Sequence, residues 1–335
     1  MSVRIGVIGA GRIGRLHAEV IARRIPDATL VVVADVLAEA ARTLAAELQV
    51  ESGSVDEVIS SGDVDAVAIC TSTDTHVDLT IAAAGAGKAV FCEKPISLDL
   101  AEVDRGLDAV AAAGTPYMVG FNRRFDPAHH SVRESVLRGE VGEVHMARIT
   151  SRDPSPPPVS YVRVSGGIFV DMMIHDFDMA RYVVGSPVVE VFAKGAVRID
   201  PEIGEAGDID TAMVLLTHEN GAFTTIDNSR RATYGYDQRV EVFGSGGMAF
   251  STNPPVHTGQ FLGEAGLRGE VIPNFFLERY TDSFRLEWEA FTRYVRDGGA
   301  SPVSGSDGRA PVAIGIAAGQ SLRSGQPVAV PAGEG

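Results

Sequence analysis

The chain has 335 residues, 45% of them apolar, and its 44 acidic against 29 basic side chains leave a net charge of −15. That surplus of carboxylates argues against nucleic acid and anionic membrane surfaces as partners, because both select a basic face. No apolar stretch approaches the roughly 18 residues that a membrane span needs. Its length favours two domains over one. The two cysteines, Cys70 and Cys92, sit in apolar strand-like runs and read as buried thiols of a reducing compartment, with no disulfide framework. The first structural motif starts within a few residues of Met1, which leaves no room for a signal peptide. The expectation is a cytoplasmic protein.

Residues 3–9 form a short apolar run rich in β-branched side chains, the signature of a buried parallel strand. The run enters Gly9-Ala10-Gly11-Arg12-Ile13-Gly14, and a helix-period segment follows from Arg15 to Arg24. A second apolar strand, Leu30 to Ala34, ends at Asp35. Strand, glycine loop, helix and an acid at the end of the next strand make a dinucleotide-binding fingerprint. In that reading Gly9 allows the turn, Gly11 admits a pyrophosphate to the helix amino terminus, and Gly14 lets helix and strand pack closely. Asp35 accepts hydrogen bonds from the adenosine ribose. It would repel a 2′-phosphate, and no arginine follows directly to welcome one, so NAD is preferred over NADP.

The alternation of strand and helix continues through a third strand, Val64 to Thr71, a polar loop Ser72 to His76, and a helix from Val77 to Gly87. Strand Ala89 to Cys92, helix Leu100 to Ala113 and strand Tyr117 to Gly120 follow. Ligands of an open parallel sheet bind beyond the carboxyl ends of its strands. Those ends are Gly9, Asp35, Thr71 with Ser72 to His76, Glu93-Lys94, and Phe121-Asn122. Glu93 and Lys94 are therefore expected at a cofactor crevice, with a cis Lys94–Pro95 bond as one way to aim Lys94 inward. His17, inside the first helix, reads as a packing histidine, and His76 as the residue that opens its helix beside the cofactor.

Beyond Asn122 the pattern changes. Val144 to Arg152, Val188 to Ala196, Asp210 to Thr217, Ala222 to Ser229 and Arg239 to Phe243 read as strands, separated by turns and not by helices. A mostly antiparallel sheet with helices on one face is expected. Residues 262–274 are glycine-rich and read as irregular, and helices are expected near Ser283 to Arg296 and Gly308 to Leu322. The fold class is thus α/β: a Rossmann domain over 1–121, then an α+β domain with a large open sheet over 122–335.

The segment from Gly166-Gly167 to Arg181 reads as one helix. Asp171, His175 and Asp178 fall at i, i+4 and i+7 on one stripe, with Phe169, Met173, Phe177, Ala180 and Val184 opposite. A carboxylate four residues before a histidine can hold the imidazole and raise its basicity. Three readings compete: a surface ion cluster, a metal site, and an acid–base histidine facing the nicotinamide. The metal reading lacks a second His or Cys partner, so no metal is expected. The acid–base reading gains weight because the first domain supplies a cofactor site and Lys94 but no histidine base.

With these residues in hand, the chain resembles the glucose–fructose oxidoreductase/inositol dehydrogenase (Gfo/Idh/MocA) family. The resemblance rests on Gly9 to Gly14, Glu93-Lys94-Pro95, the Gly166-Gly167, Asp171, His175, Asp178 pattern and the ending near Gly325-Gln326-Pro327-Val328. Within that family Gly120 to Asp126, Ser151 to Pro154 and Gly166 to Asp178 look most like bacterial inositol 2-dehydrogenases. The resemblance implies NAD-dependent oxidation of a secondary hydroxyl of a cyclic polyol or sugar, myo-inositol first. The alternatives are a sugar dehydrogenase of other specificity and an NAD-using glycoside hydrolase of the same fold. It implies Lys94, Asp171 and His175 as the catalytic set. Cofactor contacts would come from Gly9, Gly11, Arg12, Ile13, Gly14, Asp35, Thr71, Ser72, His76, Glu93 and Lys94. Substrate contacts would come from Arg123, Asp153, Asp171, His175 and Tyr236. It also implies a homodimer or homotetramer joined through the open sheet face. Phe284 is a departure, because inositol dehydrogenases often carry a polyol-reaching tyrosine there.

Overall fold

The structure is a computed structural model that describes residues 2–331. The chain divides into two compact units. One takes residues up to Phe125 together with Asp282–Val312, and the other takes Asp126–Thr281 together with the chain from Ala313 onward.

The first unit is built on six strands: β1 (Val3–Ile8), β2 (Ala28–Ala34), β3 (Glu51–Gly53), β4 (Ala66–Ile69), β5 (Ala89–Glu93) and β6 (Tyr117–Gly120). They lie in the order β3-β2-β1-β4-β5-β6, all parallel. β4, β5 and β6 are buried at every position, as strands covered on both faces must be. That is why they read as unbroken apolar runs and not as alternation. Register aligns their carboxyl ends: Ile8 pairs with Ala34 and Ile69, Ile69 with Cys92, and Glu93 with Gly120. The five strand ends named from the sequence therefore share one rim.

Three elements of this unit have no counterpart in the sequence-based expectation: the helix Ala38–Leu48, the short edge strand β3 and the helix Val55–Ser60. The helix Val55–Ser60 opens with a capping box: the Glu57 amide donates to Ser54 Oγ, and the Ser54 amide donates to the Glu57 carboxylate. Ser-x-x-Glu is the signal that could have found it.

Residues 282–312, like 122–125, pack with the first unit, whereas the sequence pattern assigns everything from 122 onward to the second. The helix Thr281–Asp297 explains this. It stacks Trp288 on Phe91 of β5, with ring centroids 4.6 Å apart, and sets Phe291 edge-on to the same ring. Val119 of β6 donates its backbone N–H to Val303, and Arg309 pairs with Asp104 through two hydrogen bonds. Such contacts join residues some two hundred positions apart, and local periodicity carries no trace of them.

The second unit contains a seven-stranded sheet of β7 (Val144–Arg152), β8 (Val188–Ala196), β9 (Thr211–His218), β10 (Phe223–Ser229), β11 (Asp237–Gly244), β12 (Met248–Phe250) and, after the hairpin β13 (Phe261–Gly263) and β14 (Gly266–Arg268), β15 (Val328–Ala329). The order is β12-β11-β7-β10-β9-β8-β15, antiparallel except for the pair β7–β10. The hairpin β13–β14 corrects the expectation of irregular chain over 262–274.

One sheet face is covered. Ile149, Val191, Val214, Leu216, Ile226 and Val242 meet Phe169, Met173, Phe177, Ala180 and Val184 in a single core. The apolar stripe read along residues 166–184 is thus the buried side of that segment. The alternate residues of the sheet stay open: Met146, Met213, Leu215, Phe223, Phe243, Met248 and Phe250 are exposed.

Candidate functional site

In the first unit the glycine loop joins β1 to the helix Arg12–Arg24. Gly9 has φ +107°, and a Cβ there would come within 2.5 Å of the Cys70 carbonyl oxygen. At Gly14 a Cβ would run into the Gly9 carbonyl. Both glycines are required by the protein's own packing. Gly11 is not. Its φ is −69°, open to any residue, and a Cβ would meet no atom within 4 Å. It is also the N-cap of the helix and makes no side-chain cap bond. A glycine that neither backbone strain nor packing explains, at a helix start, where the first N–H groups have no acceptor within the helix, fits the approach of a pyrophosphate.

Asp35, just past β2, accepts from the Ala10 amide at 2.6 Å and the Leu37 amide at 2.8 Å. Its carboxylate thereby sits against the glycine loop, where a ribose would lie. The loop after β4 is a 3₁₀ turn, Thr73–Thr75, tied by the Thr71 and Thr75 hydroxyls at 2.6 Å. His76 begins the next helix, as expected. Its ring, however, is buried between two carbonyls, Pro95 O at 2.8 Å from Nδ1 and Thr71 O at 3.2 Å from Nε2. Burial pulls the imidazole down, but Cys92 and the two carbonyl acceptors outweigh it and push His76 up to about 9. Only the doubly protonated ring satisfies both carbonyls, so His76 pins the chain after Lys94 to the Thr71 loop. The Lys94–Pro95 bond is cis.

Glu93 is buried at the end of β5, and one carboxylate oxygen accepts the Lys94 backbone N–H at 3.1 Å. Arg123 is buried in the 3₁₀ turn Asn122–Phe125. Its neighbour Arg124 pairs with Asp307 at 3.0 Å and holds that carboxyl below its usual range against the opposing effect of burial.

In the second unit the segment after Gly166-Gly167 is not one regular helix. Both glycines have positive φ, and the first turn, Ile168–Met172, is a π turn that leads into the α-helix Ile174–Val184. Wide turns of this kind recur at functional sites. The break disrupts the single polar stripe. Asp171 and His175 are half-buried, whereas Asp178 lies in the interior.

Asp171 accepts from the Tyr161 hydroxyl at 2.8 Å and faces the Arg230 guanidinium at 3.4 Å. Arg230, 1% exposed, also reaches Asp208 at 3.4 Å, and Asp208 in turn accepts the Ile168 amide at 3.1 Å. The sequence reading missed Tyr161, Arg230 and Asp208. Arg230 follows the last residue of β10, and a cation at a strand end was the available signal. Asp153, half-buried, donates its N–H to the Ser229 carbonyl, while Tyr236 packs edge-on against Tyr280 at 5.9 Å. Asp153, Asp171 and Arg230 thus belong to neighbouring ends of β7 and β10 and the turn beside them. No cluster of three or more His, Cys, Asp or Glu suited to a metal occurs among the described residues, and no helix among them is long and apolar enough to cross a membrane.

A six-stranded parallel sheet in this order, with a glycine loop after β1 and an acid after β2, defines a dinucleotide-binding Rossmann domain. Its partner unit carries ionisable groups on a sheet-backed helix, the class organisation of a two-unit dehydrogenase. The chain belongs to the Gfo/Idh/MocA oxidoreductase family. Residues 3–121 match its "oxidoreductase family, NAD-binding Rossmann fold" domain and residues 129–250 its C-terminal domain. It is 52% identical to the myo-inositol 2-dehydrogenase of Thermotoga maritima over 96% of each chain. It is 46% identical to the inositol 2-dehydrogenase of Rhizobium meliloti over 98% of this chain and all of that one. The crystal structure of scyllo-inositol dehydrogenase from Lactobacillus casei with bound NAD(H) and scyllo-inositol superposes with a TM-score of 0.92 at 29% identity, covering 98% and 99% of the two chains.

Proposed function

We propose that the enzyme oxidises one ring hydroxyl of an inositol, myo-inositol first, to the ketone with NAD. The observation that carries the substrate class is the 52% identity to a myo-inositol 2-dehydrogenase along nearly the whole chain, with Lys94, Asp171 and His175 all present. Bound NAD supplies the hydride acceptor. The chain's own residues do the rest. His175 takes the hydroxyl proton as general base. Lys94 donates a hydrogen bond to the same oxygen as negative charge builds on it. Asp171, already held by Tyr161 and Arg230, binds an adjacent hydroxyl. Arg123, Asp153 and Tyr236 contribute further polyol contacts.

Phe284, whose lack of a hydroxyl bears on the substrate, is buried with its ring edge-on to His17 at 5.6 Å. Interior packing accounts for that position, and the inositol reading stands without a tyrosine there.

The open, apolar face of the second unit's sheet supports assembly into a homodimer or homotetramer, since an exposed patch of this breadth marks an interaction surface. We place the enzyme in the cytoplasm, in keeping with the two free, buried cysteines. A panel of myo-inositol, scyllo-inositol, glucose, galactose and xylose, each with NAD and with NADP, tests the assignment by NADH or NADPH absorbance. The highest kcat/KM is expected for an inositol with NAD. Turnover confined to the sugars, or preferred with NADP, overturns it.

A further inference from the structure

Glu93 does not face outward from the rim. One carboxylate oxygen accepts the Lys94 N–H, and the other lies 2.8 Å from Nε2 of His17, a fully buried residue of the helix that follows the glycine loop. The other ring nitrogen, Nδ1, lies 2.8 Å from the indole Nε1 of Trp288, which is also fully buried. An indole nitrogen can only donate. Nδ1 of His17 must therefore be bare, and the ring proton sits on Nε2 and points at Glu93. The direction of every bond in the series Trp288–His17–Glu93–Lys94 is fixed. Phe91, Phe284 and Trp288 meet the imidazole edge to face at 5.2–5.6 Å, which keeps water off these bonds.

A second carboxyl, Glu287, is fully buried nearby, and neither of its oxygens has a hydrogen-bond partner among the described residues. Burial pushes it well up, and the Glu93 charge adds to that effect.

We infer that His17 and Trp288 are positioning residues for the reaction: they fix the Glu93 carboxylate, and through it the backbone of Lys94. The inference rests on Lys94 acting on the substrate oxygen, as proposed above. It gives a working role to a histidine that, read from sequence alone, is only a packing residue.

Three variants and one spectrum test it. His17→Leu keeps the bulk and removes both bonds. His17→Gln can accept from the indole and donate to Glu93. Lys94→Ala is measured beside them. His17→Leu is expected to lose about 10–100-fold in kcat, the range seen when the outer partner that orients a working group is removed. Its NAD dissociation constant should stay near the parent's, and His17→Gln should regain most of the loss.

Nitrogen-15 imidazole shifts of the parent enzyme, with His17 assigned through the glutamine variant, should report a single neutral tautomer at neutral pH, Nε2 protonated and Nδ1 bare. This measurement is made on the parent enzyme and does not depend on the leucine variant folding. A doubly protonated His17, parent turnover in His17→Leu, or equal losses in the Leu and Gln variants would each overturn the inference. Parent turnover in Lys94→Ala would remove the role of Lys94 and this inference with it. A dead Lys94→Ala beside a fully active His17→Leu removes the inference alone.

Discussion

Replacing His175 with alanine is expected to lower turnover about 10²–10⁴-fold, the usual share of a positioned acid–base group, and to leave NAD affinity almost unchanged. The split follows from where the groups reside. The dinucleotide loop and Asp35 belong to the first unit, whereas His175 opens the α-helix that follows the π turn of the second. Lys94→Ala should lose about 10²–10³-fold, as when one donor to a developing oxyanion is removed. The double variant should lose far less than the product of the two, since groups that act on one oxygen are strongly non-additive. Steady-state kinetics with saturating NAD, together with a fluorescence titration of the cofactor, separate these effects. A His175→Ala enzyme that oxidises inositol at the parent rate would put the base elsewhere.

Two glycine substitutions should fail in opposite ways. Gly14→Ala forces a methyl group into the Gly9 carbonyl, a backbone atom that cannot swing aside. Overpacking of this kind costs about 1–3 kcal/mol or more, and the distorted loop should no longer bind NAD. Gly11→Ala meets nothing within 4 Å and keeps an ordinary φ, so it should fold as well as the parent. Its methyl group occupies the space assigned to the pyrophosphate, and cofactor binding should suffer alone.

Thermal unfolding with and without NAD reads both. For the parent, a ligand at 100 times its dissociation constant adds about 2.7 kcal/mol, and each kcal/mol is worth about 2–4 °C in a domain of this size. Gly11→Ala should match the parent's midpoint without NAD and gain little when NAD is added. Gly14→Ala should melt lower in both. A parent-sized NAD shift in Gly11→Ala would break the link between that glycine and the cofactor.

Much of the first unit was legible because its information is local. Unbroken apolar runs mark strands covered on both faces, and the glycine spacing marks a turn that few other sequences can make. β3 was lost because Glu51–Gly53 is short, polar and exposed at the sheet edge. The return of residues 282–312 was lost because a stacking contact between Trp288 and Phe91 leaves no mark on either segment alone.

In the second unit the apolar stripe from Phe169 to Val184 gave the buried face correctly, yet the π turn was invisible. A regular 3.6-residue count placed Asp178 beside Asp171 and His175; the widened turn shifts Asp171 against the residues that follow, and Asp178, in the regular helix beyond it, lies in the interior. Arg230 and Asp208 were missed for the same reason as Trp288: their partners lie tens of residues away. His17 shows how much side-chain chemistry the pattern hides. Its helical position predicts burial, and only the coordinates reveal a donor on one side and a carboxylate on the other.

Myo-inositol deuterated at its ring carbons, incubated with NAD and the enzyme, gives the most direct test. Hydride transfer from a ring CH–OH predicts deuterium at C4 of the reduced nicotinamide, one per ketone formed, and a slower rate than with the protium substrate. Turnover that leaves the nicotinamide free of deuterium, or that consumes substrate without net NADH, would contradict the account.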